Sequence, residues 1–207
     1  MKKYLLLSAT LFTLSSGAVF SADNHITKSG LVVGVEGGYG QIQSSFWDDP
    51  NLDKKEGGAI GGVTLAGQYA INSFLATGVE VGAQYGRRLL SYSYGGDTLI
   101  NYKDTLIFPI QAFIKFQSAF GLNTTLGAGY AYIAQHVTYG SGNNQDEEVA
   151  KKFKPVVSVK IGCQITQKLE VYGKYQYVFG DKDKPVTHEI NKPNPTQAIM
   201  LGVSYTL

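Results

Sequence analysis

Apolar residues recur at every second position along most of this chain, the period of a strand with one apolar face. Eight such segments stand out. Residues 31–39 align Leu31, Val33, Val35 and Tyr39; residues 60–71 align Val63, Leu65, Tyr69 and Ile71; residues 75–85 align Leu75, Val79, Val81 and Tyr85. Residues 106–116 align Leu106, Phe108, Ile110, Ile114 and Phe116, and residues 122–134 align Leu122, Leu126, Tyr130 and Tyr132. Residues 157–165 carry Val157, Val159, Ile161 and Cys163, and residues 169–179 carry Leu169, Val171, Tyr175, Tyr177 and Phe179. The eighth, residues 200–207, sets Leu201, Val203, Tyr205 and Leu207 against Met200, Gly202, Ser204 and Thr206. Most run about 9 to 13 residues, enough for a tilted strand to cross a bilayer. An apolar residue ending an uninterrupted strand is awkward in water, where termini fray and edges aggregate. It makes sense if that strand closes a barrel whose apolar face meets lipid.

The connections fall into two alternating classes. Residues 72–74, 117–121 and 166–168 are short; residues 43–58, 87–103, 135–152 and 180–195 are long, polar and rich in Asp, Asn, Pro and Ser. That alternation predicts an all-β, eight-stranded antiparallel up-and-down transmembrane β-barrel with periplasmic turns, extracellular loops and both termini on the periplasmic side. Aromatics such as Tyr39, Tyr69, Phe74, Tyr85, Phe116 and Phe179 gather near strand ends, as interfacial girdles require. A soluble barrel with its apolar face inward is the competing fold. The opposite face argues against it, because that face carries Glu36, Gln68, Glu80, Gln84, Gln111, Lys115, Lys160, Gln164, Glu170, Lys174 and Gln176.

The N-terminus reads as a secretory signal over residues 1–22. Lys2 and Lys3 form a basic start, residues 4–14 are an apolar core too short to span a bilayer as a helix, and cuts after Ala18 or Ser21 both satisfy the small-residue rule. Residues 23–30 are then a periplasmic tail and residues 31–207 the barrel. Cleavage removes two lysines and no acid, so the formal charge of +2 falls to zero. A nucleic-acid role loses its compositional support. Cys163 is the only cysteine, which excludes an intrachain disulfide.

The segments from residue 30 to 207, together with Gly202, Tyr205 and Leu207 at the C-terminus, resemble the small outer-membrane β-barrel proteins of Gram-negative bacteria, the OmpA-like and OmpX-like barrel domains. The three C-terminal residues match the assembly signal such proteins present to the insertion machinery. Leu207 stands where the family usually has Phe or Trp, and Met200 replaces a typical polar residue. The resemblance implies a monomer in the bacterial outer membrane, exported through the inner membrane and periplasm. Its partners would be outer-membrane lipid and lipopolysaccharide, the insertion machinery, and host or envelope proteins. With no sequence after Leu207, no periplasmic peptidoglycan-binding domain is expected.

An eight-stranded barrel is just wide enough to be filled by side chains, and unpaired charges inside it are costly. The inward set balances Glu36, Glu80 and Glu170 against Lys115, Lys160 and Lys174. Lys160 and Lys174 are symmetric about the turn at Gln167, which predicts adjacent ammoniums neutralised by Glu36 and Glu80 from across the lumen. Lys115 and Glu170 fall near the periplasmic mouth. Catalysis has thin support: His25, His136 and His188 lie apart, no His-x-Ser pattern occurs, and no cofactor or metal set is visible. The glycine clusters at 34–40 and 57–62 precede no helix and read as packing glycines. The only tryptophan, Trp47 in the first long loop, is the candidate loop anchor. Residues 89–94 alternate and predict a hairpin rising beyond the membrane; residues 143–148 predict a polar, mobile loop. The functional expectation is a non-enzymatic structural or surface-interaction barrel, adhesin-like, acting through its loops. The alternative is a narrow or gated pore for small solutes or ions.

Overall fold

The computed structural model describes residues 27–43, 53–94, 97–141, 144–181 and 193–207. Nine strands follow in order: β1 (Gly30–Ile42), β2 (Asp53–Glu56), β3 (Gly58–Ala70), β4 (Leu75–Tyr94), β5 (Asp97–Gln117), β6 (Leu122–Ser141), β7 (Asn144–Gln164), β8 (Leu169–Val178) and β9 (Thr196–Thr206). All pair antiparallel. β1 pairs both β3 and β9, with Val35 opposite Val63 on one side and Val203 on the other, and β4 pairs β5, so eight strands close into a ring. β2 adds to the upper part of β4, where Lys55 faces Ser91.

Alternation decides which face is which. Leu31, Val35, Tyr69, Ile110, Tyr130 and Leu201 are exposed on the outside, while Glu36, Glu80, Gln84, Gln111, Lys174 and Gln176 are buried inside. Such an inversion is stable only where the outer belt meets hydrocarbon. The short turns are locally built. Asn72 Oδ1 accepts the backbone N–H of Phe74 (3.0 Å) and of Leu75 (2.8 Å), Thr166 Oγ1 accepts that of Leu169 (3.0 Å), and Gly121 takes a positive φ of 80°.

Of two long connections that form strand, one follows the sequence-based expectation and one departs from it. The hairpin expected beyond residue 87 forms, with β4 and β5 paired as far as Tyr94 and Asp97. The third long connection, expected as a mobile polar loop, is instead a continuous ladder, with β6 and β7 paired to Ser141 and Asn144. Val137 and Ala150 hold its inner face in place, so the ladder survives a polar tip. Four strands therefore rise side by side beyond the membrane belt.

At the opposite end, Thr27 N donates to the Ser73 carbonyl at 3.3 Å, and Lys28 Nζ reaches Gln167 Oε1 at 2.8 Å. The described part of the tail thus lies against the periplasmic turns. The proposed signal segment, Trp47, His25 and His188 lie outside the described residues.

Candidate functional site: the barrel lumen

The strongest concentration of chemistry is inside the barrel. Lys160 and Lys174 are direct cross-strand partners on β7 and β8, so two ammoniums share one inner surface. Glu36 on β1 and Glu80 on β4 answer them from across the lumen. Lys174 Nζ lies 3.0 Å from Glu36 Oε1 and 3.4 Å from Glu80 Oε1, and Lys160 pairs with Glu80 Oε2. Glu36 also accepts from Gln84 Nε2 at 2.7 Å and from the Tyr172 hydroxyl at 3.1 Å. Lys160 sits 4.9 Å from the centre of the Tyr172 ring. Every partner of Lys174, whose side chain is wholly buried, is therefore an anion.

Nearer the periplasm, Lys115 pairs with Glu170, and Gln117 Nε2 donates to Gln164 Oε1 at 2.6 Å. Between these two levels lies a cavity of about 40 Å³, lined in part by Glu80, Lys115, Thr125, Lys160, Glu170 and Tyr172. Its size and polarity suit ordered water.

Toward the extracellular side the character changes. Ile60, Ile107, Ile133, Val156, Val178 and Met200 form a buried apolar layer. On each strand that serves both layers, the apolar residue is nearer the extracellular end. Val156 precedes Lys160 on the descending β7, Val178 follows Lys174 on the ascending β8, and Ile107 precedes Gln111 on the descending β5. Above it Asn194 exchanges backbone and amide hydrogen bonds with Gln135 (2.9 and 3.1 Å) and donates from Nδ2 to the Tyr102 hydroxyl at 2.6 Å. A second apolar cluster of Ile42, Leu89, Leu90, Tyr92, Tyr102 and Val137 fills the base of the extension. Lys154 and Asp181 (2.5 Å) pair at the rim.

Of the six charges that parity assigns to the lumen, the structure brings Glu36, Glu80, Lys160 and Lys174 into one network with Lys115–Glu170 beneath it; Lys154, buried with the same inward parity, was not among them. Tyr172 and the apolar layer were missed. Tyr172 has the inward parity of Glu170 and Lys174, and that was the available signal. Of the expected C-terminal signal residues, Gly202 faces the lumen and Tyr205 and Leu207 face outward. Outside the lumen, His136 is exposed on the extension; Lys103 hydrogen-bonds Glu147 there at 2.6 Å and holds its carboxyl below the usual range. Among the described residues no three His, Cys, Asp or Glu side chains converge on a metal site.

A closed ring of eight strands with an outward apolar belt and an inward ionic core has counterparts among known proteins. The profile of the outer membrane protein beta-barrel domain family matches residues 5–206. The chain belongs to this family. Among solved structures it is similar to Neisserial surface protein A, with a TM-score of 0.54, 14% identity, and coverage of 86% of this chain and 98% of that one. It is also similar to Ail, the attachment invasion locus protein of Yersinia pestis, with a TM-score of 0.53, 13% identity, and coverage of 87% and 100%. Ail in complex with the heparin analogue sucrose octasulfate gives the same figures. At these identities the likeness is one of fold. No curated protein matches the chain. As a member of the outer-membrane barrel family, the protein resides in the bacterial outer membrane.

Proposed function

We propose that this barrel is a monomeric, non-enzymatic surface-interaction protein, adhesin-like, exported with a cleaved signal over residues 1–22 and inserted as a closed scaffold for its extracellular extension. One observation carries the reading: β4, β5, β6 and β7 continue as a four-stranded sheet past the aromatic rim marked by Tyr85, Phe108 and Phe153. A structural plug alone has no need of such a sheet. Among the described residues, β7 pairs β8 only from Val156 downward, so its upper part has a strand neighbour only in β6. An extended segment of a host or envelope protein could add to that edge by backbone hydrogen bonding, the register being read by alternate side chains.

The pore alternative has less support. The apolar layer from Ile60 to Met200 narrows the lumen above the charges, and Gln84 and Gln176 at its edge are hydrogen-bonded to each other, so an ion passing it would lose water with little to replace it. The lumen charges are better read as a satisfied ionic core that fixes the barrel's shape.

The test is to replace the tips of the β4–β5 and β6–β7 hairpins, residues 90–101 and 138–148, by tight turns, and to measure binding of the bacteria to host cells and matrix proteins. Loss of binding with a folded, heat-modifiable barrel is expected; undiminished binding overturns the proposal. Planar-bilayer recordings of the refolded chain should be silent, and steady channels that respond to Glu80→Gln would restore the pore.

A further inference from the structure

Phe179, just past the end of β8, donates its N–H to the Pro155 carbonyl at 2.9 Å, and among the described residues this is the uppermost backbone bond that β7 receives from that side. Above it the β6–β7 ladder runs without a register shift to Ser141 and Asn144. The N–H and C=O of one residue point to the same side of a strand, and the side alternates from residue to residue. Phe153, Lys151, Val149 and Glu147 share the parity of Pro155, so they aim their backbone groups away from β6. Among the described residues none of these groups has a partner on that side.

This edge carries its charges in two blocks. Asp146, Glu147 and Glu148 come first, Val149 and Ala150 are neutral, and Lys151 and Lys152 follow toward the membrane. Glu147 is held by Lys103 at 2.6 Å, and Lys152 stands 3.9 Å from Asp181. Among the described residues, Glu148 and Lys151 form no ion pair. Lysine alone blunts a sheet edge; acid followed by base selects what can add to it.

The selection has a direction. Opposite Glu148 and Lys152 an added antiparallel strand makes its non-hydrogen-bonded pairs, where side chains stand closest and charge pairing counts most. An antiparallel segment meets Lys152 before Glu148, so it must present acid first and base afterwards. A second copy in the same membrane, related by a two-fold axis along the membrane normal, would set β7 parallel to itself and bring acid to acid and base to base. The edge therefore disfavours a lateral dimer and fits a foreign segment.

Resting on the reading of the extension as an interaction sheet, we propose that the upper edge of β7 binds an extended protein segment antiparallel, with an acidic pair opposite Lys152 and Lys151, two uncharged residues opposite Ala150 and Val149, and a basic pair opposite Glu148 and Glu147.

The probe is a blocked fluorescent peptide, Thr-Val-Asp-Glu-Thr-Val-Lys-Lys-Thr, added to the full chain refolded in detergent micelles, with anisotropy as the readout. A control peptide, Thr-Val-Lys-Lys-Thr-Val-Asp-Glu-Thr, exchanges the two pairs and keeps the composition. It should bind about tenfold more weakly or worse, because each attractive cross-strand pair becomes repulsive. Val149→Pro should abolish binding of the probe and leave the unfolding midpoint of the barrel near that of wild type. The N–H it removes faces the edge, and Pro155 already occupies the same kind of position on β7. Lys151→Glu with Lys152→Glu should lose the probe and bind Thr-Val-Lys-Lys-Thr-Val-Lys-Lys-Thr instead. No binding of the probe, equal binding of probe and control, or full binding to Val149→Pro overturns the edge site. Bacteria that lose host binding when the hairpin tips are replaced, yet keep it with Val149→Pro, would leave the interaction sheet standing and overturn the edge site alone.

Discussion

Gly202 of β9 lies beneath the side chain of Tyr172 of β8: a β-carbon there would stand 2.6 Å from the tyrosine hydroxyl and 2.7 Å from its Cε2. The two residues are cross-strand partners, and the missing side chain of one makes room for the ring of the other. That ring carries the hydroxyl that donates to Glu36 at 3.1 Å. Gly202→Ala should therefore destabilise the folded barrel by about 1–3 kcal/mol through overpacking. The measurement is urea-dependent refolding in detergent micelles, where no insertion machinery is present. Adding Tyr172→Ala restores the space and should recover part of the loss. If Gly202→Ala refolds like wild type in micelles, the glycine matters only as part of an assembly signal.

Glu36 and Glu80 divide the work of neutralising two lysines. Glu80 touches both Lys160 and Lys174, whereas Glu36 takes Lys174, Gln84 and Tyr172. Removing either carboxylate leaves a buried cation undercompensated, and breaking such pairs one-sidedly costs about 3 kcal/mol or more. Glu80→Ala and Glu36→Ala should each lower the unfolding temperature of the barrel. Replacing Lys115 and Glu170 together by Met should be far milder, because both charges leave at once. An unchanged unfolding temperature in Glu80→Ala would falsify the ionic core.

The charge network was legible because strand parity and turn symmetry are arithmetic: Lys160 and Lys174 are equidistant from Gln167, and the hairpin makes them partners. The two apolar clusters were not legible, each for its own reason. In the lower layer Ile60, Ile107 and Ile133 sit near or beyond the ends of the lipid-facing pattern, where an inward isoleucine looks like a lapse in alternation. The second cluster above it was hidden by the bulge at Arg87–Leu90, which shifts parity by one residue, so Leu89 and Leu90 cannot both be assigned inward from the period alone. The ladder through residues 138–148 was hidden by its Asp and Glu, which disfavour strand by composition but sit on a backbone already held by Val137 and Ala150.

Asn194 joins the fourth long connection to the lumen. It trades hydrogen bonds with Gln135 and donates to the Tyr102 hydroxyl, all three side chains being buried. Removing one member strands the others' polar groups, at about 1–3 kcal/mol. Asn194→Ala keeps the backbone groups that Gln135 engages and removes only the partner of the Tyr102 hydroxyl, so Asn194→Ala and Tyr102→Phe should give strongly non-additive losses, whereas Asn194→Ala and Gln135→Ala should be close to additive. Limited proteolysis from the extracellular side should cut each single variant faster than wild type within residues 180–195. Additive losses for Asn194→Ala with Tyr102→Phe would mean that the two side chains act separately.

Leu207 separates two accounts of the C-terminus. As part of the strand end, its N–H donates to the Leu31 carbonyl at 2.9 Å, and its side chain is exposed on the outer face. As a signal read during insertion, it would matter before the strand is paired. Leu207→Phe keeps the backbone bond and enlarges the outward side chain, so it should leave the urea midpoint of refolded protein almost unchanged while raising insertion yield in cells. Deleting Leu207 removes one hydrogen bond at a fraying end, worth about 1 kcal/mol, and should lower cellular insertion by more than that loss explains. Surface labelling of cells and urea titration of refolded protein measure the two effects independently. If deletion lowers both in proportion, or leaves insertion intact, Leu207 is a strand end and carries no signal.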